Sequence, residues 1–192
     1  MLLIGTSTVR RQWFVDATKA RNNRWVAVQH FDTNLQRVRS AVLESTDSRK
    51  FEQGIAALLF LLGFSPIVLL ENEAPDLVVA TPGGQLAIVE CTTKISDFSS
   101  KLGKLVDRRG SLSKSLNSAG HPSEILAVLI CGAEKDQIAT HKDELRNHKV
   151  LLLTKEDLQS SFDRVRHQED PDKFITETKA ALESSASRLL NL

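Results

Sequence analysis

The chain has 192 residues, which suits one domain or one domain with an extension. Hydrophobic residues at 41% and charged residues at 26% supply a core that needs no disulfide or zinc staple, and a net charge of +1 neither demands nor excludes a nucleic-acid partner, which requires only a local basic face. Cys91 and Cys131 lie in apolar runs and read as buried thiols of a reducing compartment, not as a zinc site. The longest apolar run, Ile55 to Phe64, is too short to span a bilayer. The opening MLLIGTSTVRRQW lacks the basic leader of a secretion signal. A cytoplasmic protein with no membrane partner is expected.

Residues 1–47 form a basic accessory segment, with Arg10, Arg11, Lys19, Arg21 and Arg24 interleaved with Trp13, Phe14 and Trp25. A helix is expected over 7–21, and weaker helical spacing runs through 34–43. A second unit, 48–192, begins with Phe51, Ile55, Leu58, Leu59 and Leu62 at helical spacing, stopped by Gly63. Residues 64–70 read as a strand with its proline near the start or on an edge. Apolar runs at 76–80 and 86–92 flank the turn signal TPGGQ. Residues 97–117 read as an amphipathic helix with an apolar stripe of Phe98, Leu102, Leu105, Val106, Leu112 and Leu116. Its other face carries Lys101, Lys104 and Arg108. Gly110 weakens it by ~1 kcal/mol relative to alanine. A buried strand at 124–131, a helix at 134–146 and a strand at 149–153 follow. Thr154 then opens a helix with Asp157 completing a capping box, and Asp170-Pro171 opens a last helix to about 189. An antiparallel hairpin followed by alternating helices and strands implies a mixed β-sheet flanked by helices on both faces.

The hairpin brings two acids together. A symmetric five-residue turn centred on Gly83 pairs Ala80 with Leu86, Val78 with Ile88 and Asp76 with Glu90. A four-residue turn pairs Asp76 with Val89 instead. Directly opposed side chains lie ~4.5–5.5 Å apart at Cβ, and two carboxylates that close need a cation or a proton between them. Period-two alternation also sets Glu90 in line with Leu86, Ile88 and Thr92, where a lone charge is costly. Two readings follow. Hard oxygen ligands suit Mg2+ or Mn2+. Alternatively, Asp76 caps the strand start after Pro75 and Glu90 meets a buried arginine or lysine. Glu52, on the apolar-facing side of the 49–63 helix, is a third acid; it also reads as a first-turn residue favouring the helix dipole.

FEQGIAALLFLLGF, APDLVVA and LAIVECTTK, in that order, resemble the PD-(D/E)XK nuclease superfamily in its restriction-endonuclease-like, Mrr-like branch. Pro75-Asp76 matches the PD element and Glu90 the (D/E) element. Phe51-Glu52 and the helix after it resemble the first core helix with its acid. VLLLTKEDLQSSF resembles the strand and helix that close such domains. The resemblance covers residues 48–165 and implies a restriction-endonuclease-like α/β fold. It departs at the motif lysine, whose place is taken by Thr92. A lysine displaced within the family commonly stands on the next helix, and the candidates are Lys94, Lys101 and Lys104. The resemblance implies that Asp76, Glu90 and the Cys91 carbonyl hold the metal, with Glu52 as an outer ligand or holding a metal-bound water. It implies that the lysine orients water or offsets charge on phosphorus.

Lys101, Lys104 and Arg108 also offer phosphate contacts. The absence of tyrosine and the low aromatic content (5%) disfavour single-strand stacking, so double-stranded DNA is the expected substrate. The five scattered histidines form no ligand pair, and no phosphate loop or nucleophile elbow occurs. The expectation is a metal-dependent DNA endonuclease of a restriction or phage-defence system, working as a homodimer as its class often does. One alternative is an inactive nuclease-fold module for nucleic-acid binding or assembly, favoured by Thr92. Another is an RNA-directed or signal-activated nuclease.

Overall fold

The turn at residues 81–85 sets the register of the central hairpin. In the computed structural model, which describes residues 2–4, 7–10, 22–71, 73–167 and 169–189, strand β4 (Leu77–Ala80) pairs antiparallel with β5 (Leu86–Thr92) as Leu77 with Val89, Val78 with Ile88 and Ala80 with Leu86. This is the symmetric five-residue turn. Gly84 in it has φ +86°, a conformation glycine adopts without the Cβ penalty. Asp172 grips the turn from outside, accepting from the Thr81 hydroxyl and from Gly83 N at 2.8 Å.

On the outer side β4 pairs antiparallel with β3 (Ser65–Val68). On the inner side β5 pairs parallel with β6 (Ile125–Cys131), and β6 pairs parallel with β7 (Val150–Leu153). The order is β3-β4-β5-β6-β7. Pro66 therefore sits on an edge strand, where its missing N–H costs least. The crossover from β5 to β6 is α4 (Phe98–Ser118), and that from β6 to β7 is a 3-10 turn (Lys135–His141) leading into the short α5 (Lys142–Asn147).

Alternation along the strands divides the interior in two. Ile88, Ala127 and Leu129 face α4, where Phe98, Leu102 and Leu105 are buried, with Val106, Leu112 and Leu116 beside them. Ala87, Val89, Cys91, Leu126, Val128 and Ile130 face the opposite layer. That layer is α3 (Ser48–Leu61), α6 (Lys155–Arg164) and α7 (Pro171–Leu189). α3 is opened by Asp47, whose carboxylate accepts from Lys50 N at 2.7 Å. It is closed at Gly63 (φ +100°) by bonds from Gly63 N to Phe60 O and from Phe64 N to Leu59 O, the paired closure that lets a left-handed glycine satisfy the last carbonyls. α6 has the expected capping box between Thr154 and Asp157.

Residues before α3 depart from expectation. Ser7–Arg10 is not helical; it forms strand β2, antiparallel to β1 (Leu2–Ile4). The β-branched Thr8 and Val9 and the apolar Leu2-Leu3-Ile4 favour a ladder over a helix. The rest of the expected 7–21 helix, residues 11–21, lies outside the described residues. A helix α1 (Asn23–Phe31), for which the sequence carried no periodic signal, precedes α2 (Gln36–Leu43). Leu35 and Val42 are buried in the same cluster as Phe51, Leu58 and Phe162. No helix among the described residues is long and apolar enough to cross a membrane.

Candidate active site at the end of strand β5

One step beyond the paired Leu77 and Val89 stand Asp76 and Glu90. The Asp76 carboxylate turns back onto β5: its Oδ2 accepts the Cys91 N–H at 2.7 Å. Glu90, on the α4 side of β5, is 0% exposed. α4 supplies two cations. Lys101 Nζ lies 2.7 Å from Asp76 Oδ2 and 2.9 Å from Glu90 Oε2. Arg108 Nη1 donates to the other Glu90 oxygen, Oε1. The notch between the two carboxylates thus holds a positive charge supplied by the protein itself.

The local sequence explains why these two cations arrive. Burial of Phe98, Leu102 and Leu105 fixes the rotation of α4 against the sheet. Lys101 and Arg108, seven residues apart, then lie two turns from each other on one flank. Glu90 thus has the lysine and arginine partners that the alternative reading of the sequence gave it: Lys101 is the candidate lysine that reaches the acids, and Arg108, expected to contact phosphates, turns inward to Glu90. Lys104 stays exposed. Lys94 lies beyond the end of β5. β5 ends at Thr92, whose hydroxyl donates to Lys94 O at 2.8 Å and accepts from Lys94 N at 3.1 Å. This local turn bends the chain into a 3-10 turn (Ile95–Asp97) and leaves Lys94 exposed.

The electrostatics follow from burial and neighbours. Burial pushes the Glu90 carboxyl up, the hydrogen bond from Lys101 pulls it back, and the charge of Asp76 adds to the rise; the net direction is up. Burial alone would lower Lys101, but its hydrogen bonds to Asp76 and Glu90 outweigh that, so it is raised and stays charged. Glu52 is raised first by partial burial and then by the negative charge of Asp76, against the opposing charges of Lys101 and Arg49. α3 therefore brings Glu52 into the field of the same cluster, together with Arg49, which the sequence did not single out. The Cys91 thiol faces the opposite core, and burial drives it well above its usual range. It stays protonated and is no thiolate ligand.

Among the described residues no cluster of three or more His, Cys, Asp or Glu side chains forms a ready metal cage. The donor chemistry nonetheless fits a hard cation. Asp76 Oδ2 and Glu90 Oε2 converge on one point charge at hydrogen-bonding distance, and carboxylate pairs with main-chain oxygen are what Mg2+ and Mn2+ prefer.

No protein-family model matches the chain, and no curated protein matches it in sequence. Solved structures do. The small subunit of the heterodimeric restriction endonuclease R.BspD6I is similar with a TM-score of 0.55 at 12% identity, over 83% of this chain and 96% of that one. The chain has the restriction-endonuclease-like fold. Restriction endonuclease FokI bound to DNA is also similar, with a TM-score of 0.49 at 14% identity over 69% of this chain; the match spans 27% of the FokI chain. Within the restriction-endonuclease-like fold, Asp76 and Glu90 stand on the hairpin β4–β5 and Thr92 occupies the strand position two residues after the glutamate. The cation that reaches the acids comes from the following helix, as Lys101.

Proposed function

We propose that this chain is a divalent-metal-dependent endonuclease that hydrolyses phosphodiester bonds of double-stranded DNA. The observation that carries the reading is the convergence of Asp76 Oδ2 and Glu90 Oε2 on one cation position, 2.7 and 2.9 Å from Lys101 Nζ. Asp76, Glu90 and the Cys91 carbonyl would hold Mg2+ or Mn2+, which when bound activates water and stabilises the leaving oxygen. Lys101, on a flexible stem, orients the attacking water and offsets charge growing on the phosphate. Glu52, on α3 within the field of Asp76 and Lys101, would serve as an outer ligand or hold a metal-bound water. Lys104 and Lys94, both exposed, contact backbone phosphates. Similarity to a restriction-enzyme subunit supports a nuclease role in restriction or phage defence, and cutting both strands of a duplex calls for a second active site, supplied by a second copy of the chain.

A second reading has its own support. Thr92 stands in the lysine position, and both acids are already neutralised by protein cations, which suits an inactive module that binds nucleic acid or assembles with other subunits. Cleavage of supercoiled plasmid in Mg2+ or Mn2+ separates the two. Asp76→Asn, Glu90→Gln and Lys101→Met should each lower the rate by about 10²-fold or more. Absence of cleavage in either metal by a folded wild-type chain would establish the second reading, and cleavage indifferent to all three substitutions would remove the site.

A further inference from the structure

The two oxygens of Glu90 are not treated alike. Oε2 faces the notch shared with Asp76 and is met by Lys101; Oε1 faces away along α4 and is met by Arg108. The two cations also differ in kind. Lys101 is a single ammonium on four methylenes, a quarter exposed, and it sits between two acids; Arg108 is less exposed at 15% and is a planar, permanently charged fork on one carboxylate oxygen. A second cation cannot enter the notch while an ammonium lies within 3 Å of both its oxygens, because like charges at that range repel strongly. Glu90 cannot be left alone either, since it is 0% exposed and a buried unpaired carboxylate turns toward another partner or takes a proton.

We propose that α4 divides the neutralisation of the acid pair between an exchangeable cation, Lys101, and a fixed one, Arg108. A divalent metal then enters by displacing Lys101 alone, while Arg108 holds Glu90 in its orientation. Arg108 is thus a positioning residue that acts through Glu90, and Lys101 is a built-in competitor that keeps the protein folded without metal and becomes available to the reaction when metal arrives. This rests on the metal-dependent reading of the same site.

The division predicts opposite effects from removing two positive charges on one helix. Loss of Lys101 empties the notch of its competitor. Loss of Arg108 leaves a buried carboxylate held only by Lys101, which then binds it with both oxygens free to turn. Charge removal alone would tighten metal binding in both cases, so the sign at Arg108 is decisive.

The test is Mn2+ titration of the metal-free protein, read by electron paramagnetic resonance of free Mn2+, together with the thermal midpoint with and without Mn2+. Lys101→Gln should bind Mn2+ about tenfold more tightly than wild type, and its midpoint should rise more on adding metal. Arg108→Gln should bind about tenfold more weakly, and Arg108→Lys, which keeps the charge but not the fork, should fall between Arg108→Gln and wild type. Unchanged or weaker binding by Lys101→Gln overturns the exchange. Unchanged or tighter binding by Arg108→Gln overturns the positioning role. If Arg108→Gln does not unfold cooperatively, Arg108→Lys carries that arm, and wild-type affinity in it overturns the role. A wild-type chain that binds no Mn2+ removes the metal reading and this proposal together; that outcome differs from failure of the division alone, in which wild type binds and Asp76→Asn does not.

Discussion

Glu90 is the residue on which the others depend. It is a carboxylate with no exposed surface on a strand face otherwise lined by core side chains, and it is tolerated because Lys101 and Arg108 each take one of its oxygens. Such an arrangement is weak evidence for stability, since an apolar residue of similar volume often packs there at no greater cost. The titration of the cluster has a definite sign. Lys101 is raised above its ordinary value of 10.5, so its folded form holds the proton more tightly than the unfolded chain. The stability it contributes is complete below pH 10.5 and is lost as pH rises through the raised value. Unfolding by urea measured between pH 9 and pH 12 should show that loss in the wild type and a smaller one in Lys101→Met. Glu90 has a linkage of the same sign, displaced to the carboxylate range. Its folded affinity for a proton is also above that of the unfolded chain, so falling pH does not destabilise the fold through Glu90, and acid unfolding must come from other carboxylates.

At the scale of elements, α3 matters as much as the hairpin. It carries Glu52 toward the acids on one side and receives α2 on the other. The contact with α2 is made at Gly54, where an added Cβ would meet Ala41 Cβ at 2.9 Å, Val42 Cγ2 at 3.0 Å and the Ala41 carbonyl carbon at 3.1 Å. Gly54→Ala would gain about 1 kcal/mol of helix propensity, but overpacking of this kind costs about 1–3 kcal/mol. Backbone is among the atoms struck, so the clash should win. Urea denaturation should show a net loss, and Ala41→Gly in the same chain should return part of it, giving a coupling that two independent sites would not show. The contrast with Gly103 and Gly110 on α4 is useful: neither has an atom within 4 Å of an added Cβ, so alanine there should be neutral or stabilising.

At the scale of the molecule, β5 is the strand where the sheet changes character, with an antiparallel neighbour on one side and a parallel one on the other. The acids sit at its C-terminal end, where the hairpin and the α4 crossover meet, so groups from both converge without a long loop. Residues 22–43 join the layer opposite α4: Leu35 and Val42 share a core with Phe51, Leu58 and Phe162, Asn22 donates to the carbonyls of Leu61 and Val165, and Arg24 donates to Phe60 O and Phe64 O at the end of α3. The boundary at residue 47 divides the sequence pattern, and we expect it not to divide the core. A chain beginning at Ser48 should unfold at a lower urea concentration than the full chain and bind a hydrophobic dye in the absence of denaturant. Equal midpoints would show residues 1–47 to be separable.

Much of this is legible in the sequence. The elements from Ser48 onward are strongly periodic, their ends carry glycine, proline and capping signals, and the TPGGQ turn has one symmetric register that pairs Ala80 with Leu86. Those signals are local, so short-range sterics and alternation are enough to read them; they oppose Asp76 to Glu90 only with a five-residue turn, the register that the structure adopts. The N-terminal strands and α1 were not legible, because the strands are short and α1 has no buried residue to impose a period. Which cations meet Glu90 is not legible in the sequence either. It offers Lys94, Lys101 and Lys104 alike as the displaced lysine, Arg108 as a phosphate contact, and an unnamed buried arginine or lysine as the partner of Glu90. The choice was made by the Thr92 turn, which ends β5 before Lys94, and by the burial of Phe98, Leu102 and Leu105, which rotates α4 until Lys101 and Arg108 face Glu90. A helix's rotation against a sheet is a property of the packed whole, which is why only the tertiary structure decided it.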